Sequence, residues 1–193
     1  MYIIEGKAHI PKDTKSNPLF IVPDEVIKIT AKKLGLNHGG LRGIDPACGV
    51  GTIPRVITQI GGSCDGIEID SHQYNIAVRE AKNSNVILGD FTKAESDKYN
   101  YIYTSLPFTW FKNEYPLTKI ATALKSMLTS DGKLIIDSTD IANRNAESWP
   151  LANVQAEYFK KHGFKLDQTL TFTTTKRQDM TDNIFLELVF SLK

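Results

Sequence analysis

The sequence is poor in the features that mark several classes of protein. Its 193 residues include two cysteines, Cys48 and Cys64, and four histidines, which do not combine into a disulfide framework or a metal-ligand spacing. No run approaches the roughly 20 apolar residues that a transmembrane helix needs. The amino terminus has no basic segment followed by a long apolar run, as a signal peptide would. We therefore expect a reduced, metal-free, cytoplasmic domain that makes no membrane contact.

An excess of charge of one sign is also lacking. Lys and Arg total 23 against 22 for Asp and Glu, which leaves a net charge of +1. A protein that attracts nucleic acid through its overall field is usually strongly basic. Any contact with nucleic acid would therefore need a local patch of cations.

Hydrophobic patterning predicts strands that alternate with helices. Short apolar runs predict strands at 41–46, 64–69, 85–89, 99–104, 133–138, 166–175 and 184–192. Helices are predicted at 23–36, 116–128 and 149–162, helices or turns at 52–60, 71–83 and 91–98, and a turn at 130–132. Residues 1–22 hold several turn formers and predict an irregular lead-in with one strand at most.

This order of elements predicts a single α/β domain over residues 1–193, with its core from residue 23 onward. Strands joined by helical crossovers run parallel and are covered by helices on both faces. The loop between the last two strands is too short for a crossover, so these strands form an antiparallel hairpin. We predict a mostly parallel, seven-stranded sheet that ends in a C-terminal antiparallel hairpin.

The turn after the first strand of this alternation has the composition of a ligand-binding turn. It reads Asp-Pro-Ala-Cys-Gly-Val-Gly-Thr from Asp45 onward. Gly49 and Gly51 let the backbone approach a ligand and point the first amides of a helix at it. A carboxylate at Asp45 would repel a pyrophosphate but suits a cation such as the ammonium of an amino acid. The alternative is a tight turn in which Asp45 serves only as a cap.

Two more acidic residues follow the next two strands. Glu68 lies 19 positions after Gly49, close to the spacing at which an acid accepts the hydroxyls of a ribose. Asp90 can accept an adenine amino proton while the ring of Phe91 supplies an apolar wall. Asp70 is better explained as the cap of the next helix. Each acid alone is typical of a solvated strand end, but together they predict an adenosine site.

These motifs resemble those of the class I S-adenosylmethionine-dependent methyltransferases, closest to the enzymes that modify exocyclic amines of nucleic-acid bases. The resemblance covers about residues 20–140 and rests on the segments 45–52, 66–70, 89–91 and 104–108. It implies a Rossmann-like fold and S-adenosyl-L-methionine as the cofactor. The cofactor contacts that it implies are Phe20, Asp45, Ala47, Gly49, Gly51, Glu68, Ile69, Asp90 and Phe91.

The resemblance also assigns the parts of the cofactor. Asp45 and the glycine turn would hold the methionine portion, with Phe20 as a wall of the same pocket. Glu68 would hold the ribose, and Asp90 the adenine.

The end of the fourth predicted strand carries the implied chemistry. Enzymes of this group have Asn, Asp or Ser, then two prolines and an aromatic residue, whereas this chain has Ser105, Leu106, Pro107 and Phe108. The resemblance implies that the Ser105 side chain and the Leu106 carbonyl bind the two amine hydrogens while Phe108 stacks on the base. Leu106 lacks the fixed φ of proline, so the loop loses a constraint. The alternative is a strand end turned by Pro107 with Phe108 only packing.

The sequence leaves the substrate open. Such enzymes reach a base by flipping it or by taking a single strand, and usually carry an added domain for this purpose. Trp110 and Arg177 are the candidate contacts to nucleic acid, and a partner subunit or a homodimer would supply target recognition. We expect a base in DNA or RNA as the target. The alternatives are a small molecule, a protein side-chain amide, or a catalytically silent subunit that only binds the cofactor.

Overall fold

A computed structural model of the chain describes residues 2–4, 9–14, 22–94, 97–106, 117–140, 151–174 and 184–193. The strands are β1 Tyr2–Ile4, β2 Arg42–Asp45, β3 Ser63–Glu68, β4 Val86–Leu88, β5 Tyr99–Thr104, β6 Leu128–Asp140, β7 Phe164–Thr174 and β8 Ile184–Leu192. The helices are α1 Asp24–Leu34, α2 Thr52–Gln59, α3 Ser71–Glu80, α4 Leu117–Met127 and α5 Leu151–Lys161, with a short 3₁₀ turn at Phe91–Lys93. Each predicted helix and strand has a counterpart, and most ends agree within three residues.

The described strands form one eight-stranded sheet in the order β1-β7-β8-β6-β5-β2-β3-β4. The five strands from β6 to β4 in this order are parallel, and β8 lies antiparallel between β6 and β7. The prediction of a mostly parallel sheet with a terminal hairpin is therefore confirmed. The sheet has one strand more than predicted because β1 pairs in parallel with β7, where Tyr2 stacks on Phe172.

Strand β6 begins earlier than the sequence predicts. Tyr99 pairs with Leu128 and Tyr101 pairs with Lys133, so β6 advances five residues while β5 advances two. The extra residues form a bulge, and they include the predicted turn at 130–132. The turn-forming composition of this segment thus marks a local irregularity within a strand rather than its start.

Helices cover both faces of the sheet, as predicted. One apolar layer joins α4 and α5 to the sheet through residues such as Ile102, Leu134 and Phe159. The other joins α1 and α2 to the sheet through residues such as Ile27 and Tyr101. Within the described ranges, no helix is long and apolar enough to cross a membrane.

Candidate active site

The predicted site residues meet at the carboxyl edge of the sheet. Asp45 ends β2, Glu68 ends β3, and Ser105 directly follows β5. Because β2 pairs in parallel with both β3 and β5, these strand ends share one edge. The strand order reverses between β2 and β5, and open α/β sheets bind ligands in the crevice at such a point. The fold thus brings the acidic and catalytic candidates to one crevice.

The turn between β2 and α2 depends on its two glycines. Gly49 has a φ of 54° and Gly51 a φ of 81°, both in the left-handed region that side chains avoid. A Cβ at Gly51 would also lie 3.1 Å from the Cα of Ala77 on α3. The Cys48 N–H donates to the Ile67 carbonyl at 3.0 Å, which ties the turn to β3. This packing holds the first amides of α2 at the edge of the crevice.

Glu68 braces the same turn with its carboxylate. Oε2 accepts from the Gly49 N–H at 2.7 Å, and Oε1 accepts from the Asp70 N–H at 2.8 Å. A carboxylate oxygen can accept two hydrogen bonds, so each oxygen keeps a lone pair for a ligand. Asp70 caps α3 by accepting from the Gln73 N–H, as predicted. The predicted role of Glu68 at a ribose therefore fits its geometry, although the sequence did not indicate its bond to Gly49.

Asp45 is a buried carboxyl group, only 2% exposed. Burial raises its pKa to about 7, and the negative charge of Glu68 adds to the rise, whereas a hydrogen bond from the Ala47 N–H opposes it. Ala47 itself lies half-buried beside the turn. A cation bound against a buried carboxyl group favours its ionised form. Asp45 is thus suited to a positively charged ligand group.

Residues that follow β3 and β4 place an apolar surface and an acid near the crevice. Asp90 accepts from the Thr92 hydroxyl at 2.7 Å and pairs with Lys93 at 3.2 Å. The Thr92 hydroxyl contributes most to lowering the pKa of Asp90, so this group is ionised at neutral pH. Ile69 is 69% exposed, whereas Phe91 is packed into the core. The exposed apolar surface at these two strand ends therefore comes from Ile69, which follows β3, more than from the predicted ring of Phe91.

Ser105 and Leu106 occupy the end of β5. The Ser105 hydroxyl donates to Oδ2 of Asp137 on β6 at 3.0 Å. The Leu106 side chain is buried in the core layer of α4 and α5, so its backbone is the candidate contact.

Asp137 is a candidate site residue that the sequence analysis does not name. It follows the apolar run Leu134, Ile135 and Ile136 near the end of β6. The rule that singled out Asp45, Glu68 and Asp90, an acid at a strand end, would have found it in this strand as well.

A buried polar network continues from Asp137 into the protein. Asp137 and Glu187 are direct partners between β6 and β8, and the Tyr103 hydroxyl donates to Oε1 of Glu187 at 2.7 Å. All three side chains are almost completely buried. Burial raises the pKa of Glu187 well above its ordinary value, the charge of Asp137 adds to this, and the Tyr103 hydrogen bond opposes it.

Five predicted site residues lie outside the described residues: Phe20, Pro107, Phe108, Trp110 and Arg177. Their roles stay predictions.

The remaining candidates for reactive chemistry are the two cysteines and possible metal ligands. Cys48 and Cys64 are free and buried, and burial raises the pKa of both thiols far above their ordinary value. Among the described residues, no group of three or more His, Cys, Asp or Glu side chains is placed to hold a metal ion.

The fold is similar to that of several solved methyltransferases. No protein-family profile and no curated protein matches the sequence. The glycopeptide N-methyltransferase MtfA, solved with S-adenosyl-L-methionine, matches with a TM-score of 0.69 at 11% identity, over 88% of this chain and 94% of that one. A candidate RNA methyltransferase from Pyrococcus horikoshii matches with a TM-score of 0.69 at 14% identity, over 94% and 92%. A TehB-like S-adenosylmethionine-dependent methyltransferase from Corynebacterium glutamicum matches with a TM-score of 0.61 at 17% identity, over 88% and 86%.

The chain therefore has the Rossmann-like fold of S-adenosylmethionine-dependent methyltransferases, which confirms the predicted fold class. The matched proteins differ in the molecules that their names give as targets.

Proposed function

We propose that this chain binds S-adenosyl-L-methionine at the carboxyl edge of its sheet and methylates an exocyclic amino nitrogen of a base in DNA or RNA. The observation that carries the proposal is the set of three acids, two at the ends of β2 and β3 and one shortly after β4, beside a turn with two glycines at positive φ. The fold supports it, since MtfA shares the fold and was solved with this cofactor.

The side chains present fit the charges of the cofactor. S-adenosyl-L-methionine has an ammonium group, a sulfonium and one carboxylate but no phosphate. Its net charge is positive, so a row of acids attracts it and would repel the pyrophosphate of a dinucleotide. In the proposal, Asp45 holds the ammonium and Glu68 accepts from the two ribose hydroxyls. Asp90 accepts from the adenine amino group, and Ile69 covers the ring. When bound, the cofactor supplies an electrophilic methyl group.

Ser105 and the backbone of Leu106 hold the target amine in this proposal. The hydrogen of the Ser105 hydroxyl is directed to Asp137, so its oxygen can accept a hydrogen from the amine. The buried Leu106 side chain anchors the backbone whose carbonyl is the second acceptor. Two acceptors concentrate electron density on an amine nitrogen that would otherwise share its lone pair with the base. Positioning then supplies much of the remaining rate enhancement.

A base amine is preferred because the segment from Ser105 resembles the motif of base-modifying enzymes, and because one structure with this fold is a candidate RNA methyltransferase. A partner subunit or a second copy would then bring the target to the crevice. The second candidate function is transfer to a small-molecule amine or a protein amide, which is favoured by the likeness to a glycopeptide N-methyltransferase.

The test is to detect the methylated product. The chain is incubated with methyl-labelled S-adenosyl-L-methionine and total RNA or DNA, and the digested nucleosides are analysed by mass spectrometry. We expect a labelled base with its methyl group on an exocyclic nitrogen, formed roughly 10 to 1,000 times more slowly by Ser105→Ala. Label found only in small molecules or in protein would favour the second candidate.

Calorimetry separates cofactor binding from turnover. We expect saturable binding of S-adenosylhomocysteine and none of NAD, because of the acids around the glycine turn. The opposite result would overturn the proposed cofactor. Binding of S-adenosylhomocysteine without transfer to any acceptor would instead indicate a silent cofactor-binding subunit.

A further inference from the structure

The Ser105 hydroxyl is oriented by a buried acid. Its hydrogen is donated to Oδ2 of Asp137, which is 1% exposed. An ionised carboxylate only accepts hydrogen bonds, so the direction of this bond is set while Asp137 carries its charge. The lone pairs of Ser105 Oγ then remain for a group that binds in the crevice.

A second buried carboxyl group decides where that charge lies. Glu187 is the direct cross-strand partner of Asp137, and side chains in such pairs lie side by side with Cβ atoms about 5 Å apart. Two ionised carboxylates at this separation, without water, repel each other strongly. Oε1 of Glu187 accepts from Tyr103, whereas Oε2 has no hydrogen-bond partner among the described residues. A proton on Oε2 removes the repulsion and leaves the negative charge on Asp137.

The surroundings of Glu187 support this distribution. Its pKa is raised by burial and by Asp137 on β6, and the Tyr103 hydrogen bond from β5 lowers it by less. From α1, the uncharged Thr30 lies against Tyr103. The raised pKa of Glu187 thus favours a proton on this member of the pair, whose side chain is completely buried.

From this geometry we propose that Asp137 is a positioning residue for the methyl transfer, and that it is the final acceptor of the proton which the target amine loses. It acts through the hydroxyl of Ser105. This inference rests on the proposed function, because it supplies the destination of a proton that N-methylation releases.

The groups present account for every proton that moves in this transfer. The amine nitrogen forms a bond to the methyl carbon as the carbon–sulfur bond breaks, and the sulfur keeps that electron pair. The nitrogen then carries one proton more than the neutral product. That proton moves to Ser105 Oγ while the hydroxyl proton of Ser105 moves to Asp137 Oδ2. Exchange with solvent after product release restores the ionised Asp137.

Two isosteric changes at the paired positions test the role in turnover. Asp137→Asn keeps an oxygen that accepts from Ser105 but cannot take up a proton, so we expect kcat to fall about 100-fold. Its KM for S-adenosyl-L-methionine should stay at the parent value, and the loss of kcat at acid pH should disappear. Glu187→Gln replaces a protonated acid by its isostere and still accepts from Tyr103, so it is the matched control and should keep the parent kcat.

A purely structural role would give a different pattern. Both variants would then lower the melting temperature to a similar extent, and the pH profile of Asp137→Asn would match that of the parent. That pattern, or a parent kcat in Asp137→Asn, would overturn the proposal.

A second measurement needs no turnover. Carbon-13 NMR of the cofactor-free parent, labelled at Asp and Glu carboxyl carbons, should show Glu187 as the acid and Asp137 as the carboxylate at pH 7. The reverse assignment, or two ionised groups, would overturn the inference even if Asp137→Asn failed to fold. Parent protein that binds S-adenosylhomocysteine but methylates no nucleic acid would contradict the proposed function instead, and the NMR result would still decide the charge of Asp137.

Discussion

The buried carboxyl group of Asp45 should couple cofactor binding to pH. Burial raises its pKa to about 7, and an ammonium group binds its ionised form. We expect the affinity for S-adenosylhomocysteine to rise between pH 5 and pH 7 by up to about tenfold per pH unit. Calorimetry across this range measures the effect. Asp45→Asn should bind more weakly and with little pH dependence, and a parent affinity that is constant over the same range would contradict the assignment.

Glu68 supports the glycine turn and is also the proposed ribose acceptor, and matched variants can separate these two roles. Glu68→Ala removes the proposed ribose acceptor and the support of the Gly49 and Asp70 amides, so it should weaken S-adenosylhomocysteine binding by about 1 to 3 kcal/mol. Glu68→Gln keeps one acceptor oxygen and should lose less. Asp70→Ala is the control, because it removes the cap of α3 and should lower stability rather than affinity. If only Asp70→Ala weakened binding, the ribose contact would belong there.

Single residues were predictable where a local rule applied. Asp45, Glu68 and Ser105 follow from their places at strand ends, and Asp70 follows from its place before a helix. Glu187 was not predictable, because it stands within the apolar run of β8 and its partners Tyr103 and Asp137 come from strands far away in the chain. Only the register of the folded sheet joins them.

The glycine turn before α2 gives a prediction about one element. Gly51→Ala meets two penalties, a φ of 81° and a contact of 3.1 Å with Ala77. Gly35→Ala meets only the first, since its φ is 69° and a Cβ there has no heavy atom within 4 Å. We expect urea unfolding to show a loss of about 1 kcal/mol for Gly35→Ala and more for Gly51→Ala.

Gly89→Ala is the control for this series. A Cβ at Gly89 has no neighbour within 4 Å, and its φ lies outside the left-handed region. Its stability should match that of the parent. Equal losses at Gly51 and Gly35 would show that the contact between the turn and α3 relaxes at little cost.

Whole elements were predicted well where hydrophobic periodicity was strong, and less well where long-range pairing decided the outcome. β5 was predicted at its observed bounds because its three tyrosines and Ile102 lie between a charged segment and the turn-forming Ser105 and Pro107 of the sequence. β1 has only three residues and exists through its pairing with β7. The segment 130–132 has the composition of a turn, and its pairing with β5 decides that it is a bulge.

At the scale of the whole molecule, the order of the strands creates the site. The sequence predicts parallel strands and a final hairpin but not which strands are neighbours. The reversal between β2 and β5 opens the crevice, and the insertion of β8 beside β6 places Glu187 next to Asp137. The acids that end β2 and β3 belong to short-range motifs and were predictable as strand-end residues. The pairing of Asp137 with Glu187 depends on this topology and was not predictable.

The same buried acids should set the pH dependence of global stability. Burial raises the pKa of Asp45 from 3.8 to about 7 and that of Glu187 well above its ordinary value. Between the ordinary pKa of each group and its raised pKa in the folded chain, the unfolded chain has released the carboxyl proton while the folded chain keeps it. The free energy of unfolding therefore falls as pH rises. For Asp45 the loss is about 4 kcal/mol, complete near pH 7. Asp90 and Asp167 have lowered pKa values, so they make the free energy of unfolding rise with pH, and they do so only below about pH 4.

Urea unfolding of the cofactor-free chain at pH 4.5 and pH 7.5 tests this prediction. The parent should be more stable at pH 4.5. Asp45→Asn should reduce the difference and raise stability at pH 7.5, because an amide has no proton to lose, and adding Glu187→Gln should reduce it further. Asp45→Asn would thus gain stability but lose cofactor affinity, because the carboxyl group that destabilises the cofactor-free fold is the one proposed to bind the ammonium. A parent that gained stability over this interval would contradict the prediction.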